Sequence, residues 1–151
     1  MESLALLIAA TFNAGTVLAI AALGLLINEK VGVVNLGAEG LMLCGALAGF
    51  ATVVHVGVHP LGFLAGMAVA ALLSLVFGWL VIYLHTNQYA TGLALSLFGA
   101  GLSAFAGQPY TQYKLPELIT PHVPLLGDVP WLGPALFRQH FLAYAAVALA
   151  L

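Results

Sequence analysis

Charge is what this sequence has least of. Among 151 residues there are three Lys or Arg and five Asp or Glu, 5% of the chain, against a hydrophobic share of 63%. A water-soluble domain carries about 25% charged residues. No soluble surface can be built from so few, and lipid is the solvent for most of the chain. The shortage of basic side chains leaves no patch for nucleic acid. The single cysteine, Cys44, excludes an internal disulfide. A positive n-region is missing as well: Glu2 is the only charge before Glu29, and the first apolar run is too long for a signal peptide's core. That run is expected to stay in place as a membrane span. There is no nucleophile–base pair, no phosphate-binding loop and no zinc ligand set. His55 and His59 stand four apart with no Cys, Asp or Glu near them, so they read as a solvated turn rather than a metal site. The sequence therefore predicts no catalytic residue, no metal and no cofactor.

What the chain does have is long apolar runs. Residues 4–27 hold no charge and only Thr11, Asn13 and Thr16 as polar members. As a helix they would reach about 36 Å, enough to cross a hydrocarbon core of about 30 Å. Helix is the one open form, because a lone strand in lipid leaves its backbone groups unsatisfied. A second run, 36–54, reaches membrane length only if Glu39 is taken into it. A third, 61–84, ends on Trp79 and Tyr83, rings suited to the membrane interface. A fourth, 89–105, carries Thr91, Ser96 and Ser103 with Gly92, Gly99 and Gly101, the composition of a helix packed among helices. Gly45/Gly49 and Gly62/Gly66 form two GxxxG pairs, read as ordinary helix-packing surfaces. Residues 107–138 hold every proline except Pro60, together with Lys114, Glu117, Asp128 and Arg138. Proline interrupts helices, so this is an irregular extramembrane excursion, long enough to suggest a lid or a partner-facing element. A fifth run, 141–151, would give only about 16 Å of helix and reads as a span cut short. The expected fold is all-α: a polytopic transmembrane helical bundle of four spans plus a truncated fifth, in a single membrane domain over 1–151 with a Pro-rich loop.

Between the first two runs lies Asn28-Glu29-Lys30-Val31-Gly32-Val33-Val34-Asn35-Leu36-Gly37-Ala38-Glu39-Gly40. Lys30 is the one basic residue of the short loops, which argues for this junction on the cytoplasmic side. Alternation then puts the His55–Pro60 turn outside, the His85–Gln88 turn inside and the Pro-rich loop outside; Lys114 and Arg138 count against it.

The junction, with the residues that flank it, resembles the signature of bacterial ABC-importer permeases of the branched-chain amino acid, simple-sugar and nucleoside superfamily. Their usual form is Glu-Arg-x-Gly-Val-x-Asn-(Ile/Leu)-Gly-x-Glu-Gly-Met-Met-Leu. Here Glu29, Gly32, Val33, Asn35, Gly37, Glu39, Gly40, Met42 and Leu43 match, while Lys30 and Leu41 depart mildly. A second match is Asn87-Gln88-Tyr89-Ala90-Thr91-Gly92-Leu93-Ala94-Leu95, and Leu132-Gly133-Pro134-Ala135-Leu136 is similar to the nucleoside and simple-sugar branch. The resemblance implies an N-terminal half of a permease in the bacterial cell (inner) membrane. It also implies three partners: a cytoplasmic ATP-binding subunit, a second permease subunit and an extracytoplasmic substrate-binding protein.

Asn35, Glu39, Asn87, Gln88, Thr91 and Ser96 are the candidate residues that line or support a substrate path. An ionisable group at membrane depth costs about 2.5–3.5 kcal/mol on insertion scales, which marks function by default. Asn35 and Glu39, four apart, would share one face of a helix. The competing reading keeps both structural: Asn35 capping, and Glu39 facing backbone donors at, the start of the second membrane helix. Glu29 and Lys30 read as interface anchors rather than an ATPase contact. The rival function for the whole is a fragment of an ion-coupled secondary transporter or channel.

Overall fold

The apolar runs become helices, and glycine, proline or a capping amide sets the turns between them. In the computed structural model, which describes residues 2–115 and Ala148, α1 spans Glu2–Lys30, α2 Ala38–Val56, α3 His59–Gly78 and α4 Gln88–Gly107. The described residues contain no strand, so the fold is all-α. Three segments are long and apolar enough to cross a membrane, Ala38–Val56, His59–Tyr83 and Gln88–Tyr110; α1 is one continuous helix of 29 residues. The stretch from Pro116 onward and, Ala148 apart, the run 141–151 lie outside the described residues.

The chain divides into two units, one of Ile27–Pro116 and one of Met1–Leu26 with Glu117–Leu151. Within the first, α1 ends where Gly32 takes φ +84° and its N–H returns to Glu29 O at 3.0 Å. The α2–α3 turn is equally short. Gly57 stands in the left-handed region at φ +73° with its N–H on Val53 O at 2.8 Å, and Pro60 occupies the first turn of α3, where no backbone donor is needed. α3 runs on through a π-helical turn, Trp79–Tyr83, in which the Trp79 and Tyr83 rings stack with centroids 4.9 Å apart. At the far end, α4 passes Gly107 into a 3-10 turn over Gln108–Tyr110, so the irregular stretch begins later than the prolines alone suggest.

α2 is the middle helix of this unit, with α3 antiparallel on one side and α4 parallel on the other. The two GxxxG pairs pack on each other. A Cβ placed on Gly45 would stand 3.1 Å from Gly66 O, and one on Gly49 would stand 3.0 Å from Gly62 O. The α2–α4 seam is tighter still. A Cβ on Gly40 would meet Leu95 O at 2.5 Å and Ser96 Cα at 2.8 Å, and one on Gly99 would run into the Cα and carbonyl of Gly40. In lipid no hydrophobic force favours helix against helix over helix against acyl chain, so close backbone approach is what holds such a bundle.

Because the colliding atoms are backbone, they cannot move aside as a flexible side chain would. Gly40→Ala and Gly99→Ala are each expected to cost about 1–3 kcal/mol, the usual penalty of overpacking. Gly101→Ala, with open space at its Cβ position, should be neutral or slightly stabilising. Thermal unfolding midpoints in detergent read the difference; equal midpoints for all three would refute the seam.

Candidate functional site

The polar junction folds into a short irregular segment laid against the start of α4. Residues 33–37 are not helical, and their backbone donors need partners away from water. Gln88 supplies one: its Oε1 accepts from Val34 N–H at 3.0 Å. Asn35 supplies another, its Oδ1 accepting from Gly37 N–H at 2.8 Å across an Asx-type turn. Asn35 is only 5% exposed. Glycine makes the fit possible, since a Cβ on Gly92 would stand 2.8 Å from Leu36 N and 3.1 Å from Gly37 N. The two sequence motifs, 52 positions apart if counted from Asn35 to Asn87, are thus locked together at one end of the unit.

The other candidates fall around this lock. Asn87 is the N-cap of α4, its Oδ1 accepting from Tyr89 N–H at 3.0 Å and Ala90 N–H at 3.2 Å. Thr91 bonds to Thr86 through their hydroxyls at 2.9 Å, and Thr86 Oγ1 donates to Leu80 O, also at 2.9 Å. That chain ties the π-turn of α3 to the first turn of α4. Ser96 is half-buried on the α2–α4 seam. Glu39 stands apart. It lies in the first turn of α2 with an exposed side chain, and no described residue pairs with it. Asn35 precedes α2, so the two do not share a helical face as their spacing suggested. One is folded into the protein and the other is turned out of it. The Gly37 N-cap of α2 carries no side-chain cap bond, so capping through Asn35 takes a different form: its oxygen serves the N–H of Gly37 itself.

At the opposite end of the unit is a cluster that sequence reasoning did not single out. His55 Nε2 and Tyr110 Oη are 3.0 Å apart, the His55 and Tyr110 rings meet edge to face, and Phe50 and Tyr113 flank Tyr110. It ties the C-terminal turn of α2 to the extension of α4. The signal was available only as unconnected aromatic residues on either side of 55 positions of chain. The 28–37 junction and the 84–87 turn lie at one end of this unit, the 57–58 turn and residues 108–115 at the other.

Residues 7–151 match the family described as the permease component of the branched-chain amino acid transport system. The chain belongs to this permease family. It is 40% identical over 145 residues to a putative glucose ABC transporter permease of Haloferax volcanii, covering 93% of this chain and 44% of that protein. It is 32% identical over 163 aligned positions to a guanosine ABC transporter permease of Bacillus subtilis, covering 99% of this chain and 51% of that one. A nucleoside ABC transporter permease of Lactococcus lactis is 28% identical over 152, covering 92% and 47%. The chain spans about half the length of these relatives. No solved structure matches it. The permease is a multi-pass protein of the cell (inner) membrane, in keeping with its apolar helices.

The hydrogen bond between the motifs generates a direct test. Gln88→Ala strands the part-buried Val34 N–H and is expected to lower stability by about 1 kcal/mol, the low end of the range for a donor left unpaired. Gln88→Glu keeps an acceptor in place and should recover most of the loss. Unfolding in detergent measures both; an unchanged midpoint in Gln88→Ala would show that the lock contributes nothing.

Proposed function

We propose that this chain forms part of the translocation path of an ATP-driven importer for nucleosides or simple sugars. The reading rests on family membership and on one structural observation: the two family motifs fold against each other, leaving the Glu39 carboxylate turned out of the three-helix unit. Glucose, guanosine and nucleosides, the solutes in the relatives' names, all carry a hydroxylated sugar ring. A carboxylate accepts hydrogen bonds from such hydroxyls, and with little else polar beside it the hold stays weak enough for passage. Glu39 faces the path, while Asn35, Asn87, Gln88, Thr91 and Ser96 support its wall through the bonds and contacts described. The machine would be completed by a cytoplasmic ATP-binding subunit, a second permease subunit and an extracytoplasmic substrate-binding protein.

Uptake in cells carrying the intact transporter tests this. Deleting the ATP-binding subunit should abolish uptake of radiolabelled guanosine or glucose. Glu39→Ala should lower uptake about ten- to a hundredfold, the equivalent of one charge-assisted hydrogen bond of about 1.5–3 kcal/mol. Uptake that survives loss of the ATPase but stops with an uncoupler would favour an ion-coupled carrier. Normal uptake by both Glu39→Gln and Glu39→Ala in folded transporter would remove Glu39 from the path.

A further inference from the structure

We infer that the third face of α2, marked by Glu39, Met42 and Ala46, lines the water-filled side of the membrane domain; the inference rests on the translocation reading and assigns it to one helix face. The first step is depth. Trp79 and Tyr83 are exposed at the end of the α3 segment, and Tyr89 is exposed beside them at the start of α4, so this level is where amphipathic rings meet the membrane–water boundary. α2 begins well below it. Along α4, Gly40 sits against Leu95, Ser96 and Gly99, and from residue 88 to residue 96 the helix rises about 12 Å. Along α3 the same depth results. Gly45 lies opposite Gly66; residue 66 to residue 79 rises about 20 Å and residue 45 back to residue 39 about 9 Å, which sets Glu39 about 11 Å inside the level of Trp79. Both routes put the backbone of residue 39 about 10 Å inside the boundary.

The second step is direction. α2 gives one face to α3 through Gly45 and Gly49, and another to α4 through Gly40 and the buried Cys44, whose thiol donates to Gly99 O at 3.7 Å. The remaining face carries Glu39, Met42 and Ala46 at i, i+3 and i+7, all exposed in the described unit. Neither described cation neutralises Glu39 there: Lys30 makes no ion pair among the described residues, and Lys114 lies past the end of α4, at the opposite end of the unit. A bare carboxylate toward acyl chains is the costly arrangement that membrane proteins avoid, whereas one toward a water-filled cavity is where such residues are found. The occupant of the face is therefore water and an uncharged, hydroxyl-bearing solute.

The native chain is suited to the test, because its one cysteine is sealed at 3% exposure. Met42→Cys and Ala46→Cys are made on the proposed face, Leu64→Cys and Met67→Cys on the exposed side of α3 at comparable depth, where the native residues are 61% and 67% exposed. Full-chain protein in isolated membranes is treated with a hydrophilic, positively charged methanethiosulfonate. The thiolate, which forms in water and not in hydrocarbon, attacks this reagent to form a mixed disulfide and expel methanesulfinate, so positions 42 and 46 should react at least about tenfold faster than 64, 67 and native Cys44. Equal, slow labelling at all five positions would overturn the inference, as would equal, fast labelling at 42, 46, 64 and 67; using two positions on the face keeps the result decisive if one substitution disturbs folding. Labelling reads water, not ATP. Failure here with ATPase-dependent uptake intact would sink only the face assignment, and selective labelling with ATPase-independent uptake would sink only the importer reading.

Discussion

The backbone donors of the irregular segment between α1 and α2 find their acceptors inside the protein, and the segment is organised by that demand. A donor shut off from water and left unpaired costs about 1–3 kcal/mol. The carboxamides of Gln88 and Asn35 take up the N–H groups of Val34 and Gly37. For Gln88 to reach, the first turns of α4 must come against residues 36–37, and only a residue without a Cβ at position 92 allows that approach. The same closeness continues along the helices at Gly40 and Gly99. One hydrogen-bonding requirement thus accounts for a glycine pattern spread over two motifs.

The consequence is an asymmetry in how α2 uses its sides. Two are spent on backbone-close packing, one with α3 and one with α4, and neither has room for a solute. What remains is a face whose polar member is a carboxylate. A helix that starts about 10 Å inside the boundary also brings its free N–H groups and its first-turn glutamate into the membrane, where a charge near a helix N-terminus is favoured. Glu39 can therefore be stabilised by the helix it belongs to and still present its oxygens outward. The structural and functional readings of this residue do not compete; they act on opposite ends of the same side chain.

The amides and hydroxyls tell a different story. Asn87, Gln88 and Thr91 look in sequence like a row of solute ligands at the head of the fourth apolar run. In the fold they are occupied, with the cap of α4, with Val34 and with the Thr86–Leu80 link to the π-turn. Asn35 is turned inward. Residue type and spacing alone cannot separate an amide that binds a solute from one that binds its own backbone, because both need the same donor and acceptor groups.

The amino-acid sequence by itself determined the solvent and the form. With eight charged side chains in 151 residues, lipid was the one environment open to the long runs, and in lipid the helix is the form that satisfies its own backbone. The turn at Gly57–Val58 follows equally from local chemistry. Tertiary structure alone decided which glycine meets which, that the two GxxxG surfaces are each other's partners, and that Asn35 and Glu39 point apart. Those outcomes depend on contacts between residues far apart in the chain and on the break in helical periodicity before Ala38, and a period counted along the sequence carries no information across such a break.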